Sequence, residues 1–149
     1  MEITVTTINF DLDGTLADLY GVKDWLADLI AYNVRPYAIA KPLLPLNQLA
    51  RQLNRLQKEG YRIAVISWLS KSGTPAYNEA VAEVKRKWLA EHLPSVHWDE
   101  ITIGPYGTPK ENFSHTAWDV LFDDEEKNRD NWIGDAYDVD HILEVLRTF

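Results

Sequence analysis

The stretch Phe10-Asp11-Leu12-Asp13-Gly14-Thr15-Leu16 decides the fold of this chain. It completes a run from Ile3 to Leu12 in which β-branched and apolar side chains predict a buried strand. Gly14 ends the predicted strand because glycine favours turns over extended structure. Two aspartates therefore stand at the carboxyl end of the first predicted strand.

Strands and helices alternate along the rest of the chain. Further strands are predicted at Arg62 to Ser67, around Ile101 to Ile103 and at Val120 to Phe122. Helices are predicted from about Gly21 to Asn33, through Leu46, Leu49, Leu53 and Leu56 to a stop at Gly60, from Tyr77 to Leu93, and through Val139, Ile142, Leu143 and Leu146. This alternation predicts an α/β, Rossmann-like parallel sheet with helices on both faces, which binds ligands beyond the carboxyl ends of its strands.

The chain has the length and composition of one domain. Its 149 residues, of which 46% are hydrophobic, can fill a single core, so we expect one domain over residues 1–149. Pro36, Pro42 and Pro45 interrupt any regular pattern after the first predicted helix. Residues 18–45 are therefore interpreted as a short insertion made of a helix and a loop.

The composition indicates which partners and which cellular location to expect. The formal net charge of −8 disfavours binding to long nucleic acids, because such binding depends on many Lys and Arg contacts. With no cysteine in the chain, a metal would have to be held by oxygen or imidazole ligands. No run of about 18 apolar residues predicts a membrane span, and Met1 to Phe10 do not resemble a secretion signal. We therefore expect a cytoplasmic protein that does not associate with membranes.

Three predicted strand ends carry residues suited to chemistry. Asp11 and Asp13 end the first strand, Ser67 ends the second, and Asp123 with Asp124 follow the last. Because carboxylates crowded at one edge of a sheet repel one another, a cation is expected among them. Oxygen ligands indicate Mg²⁺ or a similar hard ion.

Four segments, taken in this order, resemble the motifs of the haloacid dehalogenase (HAD) superfamily. They are residues 10–16, Val65-Ile66-Ser67, Lys110 within Gly107-Thr108-Pro109-Lys110, and Leu121-Phe122-Asp123-Asp124-Glu125 with Asn128 beyond. The fourth has the form found among magnesium-dependent phosphatases with little or no cap. The resemblance extends from Ile8 to about Asn128 and implies a HAD-like fold.

The resemblance implies how these residues act on a phosphate ester. Asp11 is the nucleophile, and it forms an aspartyl phosphate. Asp13 first protonates the leaving oxygen and later deprotonates the attacking water. Ser67 holds the phosphate, while Mg²⁺ and Lys110 compensate its negative charge.

The resemblance also implies a set of metal ligands. Asp11 and Asp123 would give carboxylate oxygens, and Asp13 would give its backbone carbonyl. Asp124 and Asn128 would orient water ligands or the catalytic lysine. Which of Asp123 and Asp124 is the main metal ligand stays open.

Other lysines could compete for the catalytic position. Lys71 lies close to the second motif and is the alternative to Lys110, which is favoured. Lys85 and Lys87 are assigned to the surface of the helix from Tyr77 to Leu93, whose apolar face is interpreted as Tyr77, Val81, Val84 and Trp88.

Among the aromatic and histidine side chains, one tryptophan is a candidate for a substrate contact. Trp68 directly follows Ser67, so it is a candidate for bordering the phosphate pocket and stacking on a base or sugar. The four histidines are scattered without the spacing of a metal site and are assigned no role.

These features together predict a Mg²⁺-dependent phosphatase that hydrolyses a small phosphate monoester. Asp13 disfavours dehalogenation, because halide needs no proton donor. Gly14-Thr15-Leu16-Ala17-Asp18 also resembles the start of bacterial-type deoxyribonucleotidases, which favours a nucleoside monophosphate as substrate. The insertion at residues 18–45 is too short to seal a site, leaving room for large substrates or for closure by a partner subunit in a homo-oligomer.

Several other functions are compatible with the same residues. A phosphomutase uses the same acid pair, and the substrate of a phosphatase could be another phosphometabolite or a phosphoprotein. A phosphate- or metal-binding module without turnover is the alternative outside enzymes. The joint presence of Asp11, Asp13, Ser67, Lys110 and Asp123 argues against such a module.

Overall fold

A computed structural model of the chain describes residues 5–149. The strands are β1 (Thr7–Phe10), β2 (Ala17–Asp18), β3 (Lys41–Pro42), β4 (Arg62–Trp68), β5 (Glu100–Gly104), β6 (Val120–Phe122) and β7 (Ala136–Tyr137). The helices are α1 (Trp25–Ile30), α2 (Arg35–Ile39), α3 (Leu46–Lys58), α4 (Pro75–His92), α5 (Glu126–Asn131) and α6 (Ile142–Leu146), with 3₁₀ turns at Lys110–Phe113 and Val139–His141. Within residues 5–149, no helix combines the length and the apolar character that crossing a membrane requires.

Five strands form one parallel sheet in the order β5-β4-β1-β6-β7. The central strand β1 pairs with β4 on one side, where Ile8 faces Ile63, and with β6 on the other, where Phe10 faces Phe122. Because the chain continues to opposite sides of β1, the loops that follow the central strands separate and leave a crevice at their carboxyl ends. The predicted α/β, Rossmann-like fold with a parallel sheet is confirmed.

Alternate side chains of the sheet enter two apolar clusters, as the period of two in a strand requires. The main core includes Ile8, Phe10, Ile63, Val65 and Phe122 of the sheet, Leu49, Leu53 and Leu56 of α3, and Trp88 of α4. On the opposite face, Ile66 and Leu121 pack with Trp132 at the end of α5. The leucine spacing of α3 is thus confirmed as a buried stripe, and Gly60 follows that helix with a φ of 102°, a conformation that favours glycine.

Residues 18–45 fold into short elements beside the carboxyl end of the sheet. β2 and β3 form a two-residue antiparallel pair, and α2 packs on α4. Tyr37 of α2 lies in a small apolar cluster with Leu19, Tyr77 and Val81. In contrast, none of the residues of α1 is buried. The segment is therefore anchored mainly through α2.

Several element bounds differ from the sequence prediction. The first strand covers only Thr7–Phe10, and Ile3 of the predicted strand lies outside the described residues. The helix predicted over residues 21–33 covers only Trp25–Ile30, because Asp24 and Tyr32 adopt positive φ angles of 64° and 58° on either side of it.

Proline and short elements account for the remaining differences in the fold. Pro36 does not end regular structure but lies in the first turn of α2, where its missing N–H costs no hydrogen bond. The closing helix was predicted from Val139, but Val139–His141 form a 3₁₀ turn before α6 begins at Ile142. The helices α2 and α5 and the two-residue strands β2, β3 and β7 were not predicted from the sequence.

Candidate active site

The turn after β1 fixes the position of Asp11. Its backbone N–H donates to the carbonyl of Phe122 at 2.9 Å, which extends the ladder between β1 and β6. Gly14 has a φ of 80°, and a Cβ at this position would lie 2.5 Å from Oδ2 of Asp124, so a side chain here would clash. The Thr15 hydroxyl lies 3.0 Å from Oδ2 of Asp11 and 3.4 Å from Oδ1 of Asp124. The turn therefore brings the first and last acidic segments together.

Lys110 bridges two of these carboxylates. Its side chain is 2% exposed, and Nζ donates to Oδ1 of Asp11 at 2.9 Å and to Oδ2 of Asp123 at 2.7 Å. Lys71, the alternative in the sequence, is exposed and places Nζ 5.9 Å from the centre of the Tyr106 ring. The structure thus brings Lys110, and not Lys71, into contact with the acidic cluster.

The loop after β6 supplies the remaining acidic residues. Asp123 is fully buried; Oδ1 accepts from the backbone N–H of Glu125 at 2.9 Å, and Oδ2 accepts from Nδ2 of Asn128 at 3.1 Å. Asp124 is partly buried and faces the turn after β1. These contacts leave Asp123 with a fixed orientation toward Lys110.

Ser67 and Trp68 end β4 beside the acidic cluster. Ser67 is buried and its Oγ accepts a hydrogen bond of 2.8 Å from Nζ of Lys85, so the serine hydroxyl proton can be directed to another acceptor. The Trp68 indole donates to the carbonyl of Thr108 at 2.9 Å, and its ring centre lies 5.2 Å from Nζ of Lys110. Both residues line the same cavity as the acidic cluster.

Lys85 of α4 also belongs to the site, although its sequence position predicted an exposed surface residue. It is 1% exposed, and Nζ contacts Oδ2 of Asp13 at 2.7 Å, Oγ of Ser67 at 2.8 Å and the carbonyl of Trp68 at 2.6 Å. All three ammonium protons therefore have acceptors. The surface assignment of Lys85 is wrong, whereas Lys87 is exposed as predicted.

The predicted buried face of α4 was incomplete. Tyr77, Val81 and Trp88 of the predicted face are buried, but Lys85 and Leu89 are buried with them and Val84 is only partly buried. The spacing of four residues from Tyr77 through Val81 to Lys85 is the feature of the sequence that could have predicted the burial of Lys85. A lysine at a core position needs acidic partners, and such partners were already predicted at the neighbouring strand end.

The two aspartates after β1 lie in different electrostatic environments. Burial opposes ionisation of Asp11, but the Lys110 ammonium and hydrogen bonds outweigh it and hold the pKa of Asp11 below its usual value. Burial raises the pKa of Asp13, although the Lys85 ammonium acts in the opposite direction. Asp11 is thus held ionised, while Asp13 retains its proton more readily, which is the pairing of states that a nucleophile and a general acid need.

Three carboxylates form a candidate metal centre. Oxygens of Asp11, Asp123 and Asp124 all lie within 4.8 Å of one another. Burial, with the Asp11 charge adding to it, raises the pKa of Asp123 to about 6. Burial and the interactions with Asp11 raise the pKa of Asp124 to about 8. A hard cation would relieve this repulsion, so the donor set fits Mg²⁺.

A cavity of about 330 Å³ opens beside this centre. All seven residues predicted for the site line it: Asp11, Asp13, Ser67, Trp68, Lys110, Asp123 and Asp124. Its apolar lining comes from Leu19, Tyr20, Trp25, Leu26, Leu29 and Tyr37 in residues 18–45, and from Trp68, Leu69 and Tyr106. The volume is at the lower end of the range for small-molecule sites, about 300–1,000 Å³.

A solved structure shares this fold. The crystal structure of D,D-heptose 1,7-bisphosphate phosphatase from Burkholderia thailandensis matches with a TM-score of 0.54, over 97% of this chain and 97% of that chain. The two sequences are 13% identical, so the likeness shows a common α/β fold. No protein-family model and no curated protein matches the chain. The similarity to deoxyribonucleotidases stays a prediction.

Proposed function

We propose that the protein is a Mg²⁺-dependent phosphatase of the HAD superfamily that hydrolyses a phosphate monoester through an aspartyl phosphate on Asp11. The observation that carries this proposal is the Lys110 bridge between the buried carboxylates of Asp11 and Asp123, with Asp124 beside them. The likeness of the fold to a phosphatase is consistent with it.

The proposed reaction has two half-reactions on the same carboxylate. An oxygen of Asp11 attacks phosphorus, the bond from phosphorus to the leaving oxygen breaks, and Asp13 gives its proton to that oxygen. Water then attacks the phosphorus of the aspartyl phosphate while Asp13 takes a proton from the water. Phosphate leaves and Asp11 is restored. The opposite pKa shifts of Asp11 and Asp13 support these roles.

Positive charge makes the attack on an anionic phosphate feasible. When bound to Asp11, Asp123 and Asp124, Mg²⁺ supplies charge that offsets both the carboxylates and the phosphate. Lys110 adds a second cation next to Asp11. Ser67, which accepts from Lys85, can donate its own proton to a phosphate oxygen.

The finer proposal is that the substrate is a nucleoside monophosphate. The resemblance of residues 14–18 to deoxyribonucleotidases and the aromatic lining of the cavity support it. The cytoplasmic location, the single domain over residues 1–149 and a homo-oligomer stay predictions.

Hydrolysis of p-nitrophenyl phosphate tests the proposal. We expect turnover with Mg²⁺, loss of turnover in excess chelator and recovery when Mg²⁺ is restored, because the acidic cluster otherwise repels the dianion. Asp11→Asn should be inactive, whereas Asp130→Asn, which replaces an exposed aspartate, should match the parent protein. Full activity in chelator, or in Asp11→Asn, would contradict the proposal; binding of phosphate without turnover would indicate a binding module.

A further inference from the structure

We propose that the cavity beside Asp11 binds the leaving group of the substrate, and that this leaving group is an uncharged aromatic group without a second phosphate. The inference rests on the proposed phosphatase function and deepens it, because it names the side chains that bind the leaving group and excludes a second phosphate. The residues that select it are two aromatic pairs, Tyr20 with Trp25 and Trp68 with Tyr106.

Both pairs form edge-to-face contacts at the cavity. The Tyr20 and Trp25 ring centres are 5.0 Å apart at 78°, and those of Trp68 and Tyr106 are 5.1 Å apart at 61°. Tyr20 is 51% exposed and Tyr106 is 50% exposed, although both rings are large. Aromatic surface left open beside a polar centre is typical of a ligand subsite, because a ligand ring can cover it.

The two pairs come from different parts of the fold. Trp68 belongs to the sheet, and the hydrogen bond from its indole to Thr108 together with the Lys110 contact fixes its ring. Tyr20 and Trp25 belong to residues 18–45, whose α1 has no buried residue. A planar group bound here would contact a ring fixed on the sheet and the rings of this segment.

The charges that line the cavity argue against a second phosphate. Beyond the metal centre the lining also includes the acidic Glu125. Among the described residues that line the cavity, the basic ones are Lys110 and Lys71. Lys110 is already bonded to Asp11 and Asp123, so an exposed Lys71 would face any second phosphate alone. A neutral leaving group avoids the repulsion from these carboxylates.

Matched substrates separate recognition of the leaving group from chemistry. A nucleoside 5′-monophosphate and ribose 5-phosphate share the same leaving oxygen and differ in the base. Stacking of one base changes binding by about 5- to 150-fold, so we expect kcat/KM to favour the nucleotide by a factor in that range. Benzyl phosphate should exceed cyclohexylmethyl phosphate in the same way, which distinguishes a general aromatic subsite from one specific to nucleotides. The nucleoside 5′-diphosphate should react less well than the monophosphate.

Tryptophan variants test whether the cavity causes the preference for the nucleotide over ribose 5-phosphate. Trp25→Ala should reduce the ratio of nucleotide to ribose 5-phosphate activity toward one, and Trp25→Phe should retain most of it. Trp118→Ala, which replaces an exposed tryptophan outside the cavity lining, should leave the ratio unchanged.

The outcomes distinguish the two proposals. Equal kcat/KM for the nucleotide and ribose 5-phosphate, a preference for the diphosphate, or equal losses on both esters in Trp25→Ala would overturn the inference while the phosphatase stands. If no ester, including p-nitrophenyl phosphate, is hydrolysed with Mg²⁺, the phosphatase proposal itself fails.

Discussion

Asp11 and Asp13 are two positions apart and yet meet different lysines. Lys110 contacts Asp11, and Lys85 contacts Asp13. Each aspartate therefore has its own cation, and the proposed roles of nucleophile and general acid can be tested separately.

The first prediction concerns these two roles. Asp11→Asn removes the attacking oxygen, so p-nitrophenyl phosphate should give neither a burst nor steady turnover. Asp13→Asn should slow hydrolysis of alkyl phosphates by roughly 10²–10⁴, the usual contribution of general acid–base catalysis. Nitrophenolate leaves without a proton, so this variant should give a rapid burst of nitrophenolate followed by slow turnover. Rapid mixing measures both phases, and a burst in Asp11→Asn would show that the roles are exchanged.

The second prediction concerns Lys85. Lys85→Met leaves the Asp13 carboxylate without its buried partner, and we expect a loss of about 3 kcal/mol in the free energy of unfolding, near the lower end for a broken buried pair. Because Ser67 also loses its donor, KM for the phosphate ester should rise. Lys87→Met, on the exposed side of the same helix, should change stability by less than about 0.5 kcal/mol. Urea unfolding compares the two variants, and equal stability would refute the importance of the buried contact.

At the residue scale, the sequence could predict the acidic cluster but not every cation. Asp11, Asp123 and Asp124 follow apolar runs, and parallel strands bring such ends to one edge, so their meeting was predictable. Lys85 was not found because a lysine is ordinarily exposed and the apolar pattern of α4 is complete without it. The burial of Lys85 became clear only from its contacts with Asp13, Ser67 and Trp68 at two strand ends.

Among the elements, α1 and α4 contrast most in how they are held. α4 begins at Pro75 after Thr74, whose Oγ1 accepts from the backbone N–H of Tyr77 at 3.2 Å, and it buries residues along its length. α1 has six residues, no side-chain cap at its N-terminus and no buried residue. Short helices without tertiary packing are marginal in water, so α1 depends on what it contacts.

The third prediction follows from this contrast. Amide protons of α1 should exchange with solvent at least about a hundredfold faster than those of β4, because few buried contacts oppose local opening. A nucleoside monophosphate bound to the inactive Asp11→Asn protein should slow exchange in α1, since Trp25 would then be covered. Hydrogen exchange followed by mass spectrometry gives both comparisons. Equal exchange in α1 and β4 without ligand would show that α1 is as stable as the core.

The fourth prediction concerns the N-terminal cap of α4. Thr74→Ala removes the acceptor for the N–H of Tyr77 and should lower the free energy of unfolding by about 1 kcal/mol. Thr74→Ser retains the oxygen and serves as the matched control. A chemical denaturation series measures the difference, and an unchanged midpoint in Thr74→Ala would show that the cap contributes nothing.

Element bounds were less predictable than element types. Helix α1 is short because Asp24 and Tyr32 occupy left-handed backbone conformations. Residue type alone does not predict these conformations. Pro36 was interpreted as a break, but a proline is also compatible with a first helical turn, and α2 uses it there. The bounds of α1 and the place of Pro36 in α2 both depend on local backbone geometry, which tertiary contacts select.

For the molecule as a whole, the acidic cluster should couple stability to pH and to metal. In the folded protein the pKa of Asp124 is raised to about 8 and that of Asp123 to about 6, against about 3.9 for an unfolded aspartate. The folded state therefore binds more protons between about pH 4 and pH 8, and its stability falls as pH rises through that window. The lowered pKa of Asp11 acts only below this window.

The fifth prediction uses that coupling. In chelator, Tm should fall between pH 5 and pH 8, whereas Mg²⁺ should reduce or reverse the fall because it binds the ionised carboxylates. Asp124→Asn should flatten the dependence in chelator by removing one of the carboxyl groups whose pKa is raised in the fold. Scanning calorimetry at several pH values measures each slope. A Tm that rises with pH in chelator would mean that these carboxylates do not retain protons in the fold.

The parallel order of the whole sheet was predictable because strands separated by helices exclude hairpins between them. β7 and α5 were not predicted because elements of two and six residues are too short to show a hydrophobic period. The prolines of residues 18–45 led to the interpretation of a helix and a loop, whereas this segment forms several short elements whose packing on α4 required the structure.

The position of β1 in the middle of the sheet determines when the site can form during synthesis. Asp11 is made early, but the hydrogen bond from Lys110 closes a loop of 99 positions, and that from Thr7 to Asp119 closes one of 112. Contacts so distant along the chain form slowly because a long loop must close first. A polypeptide still emerging from the ribosome would thus pair β1 with β4 first, and Asp11 would wait for Lys110 and β6 before the acidic cluster could close.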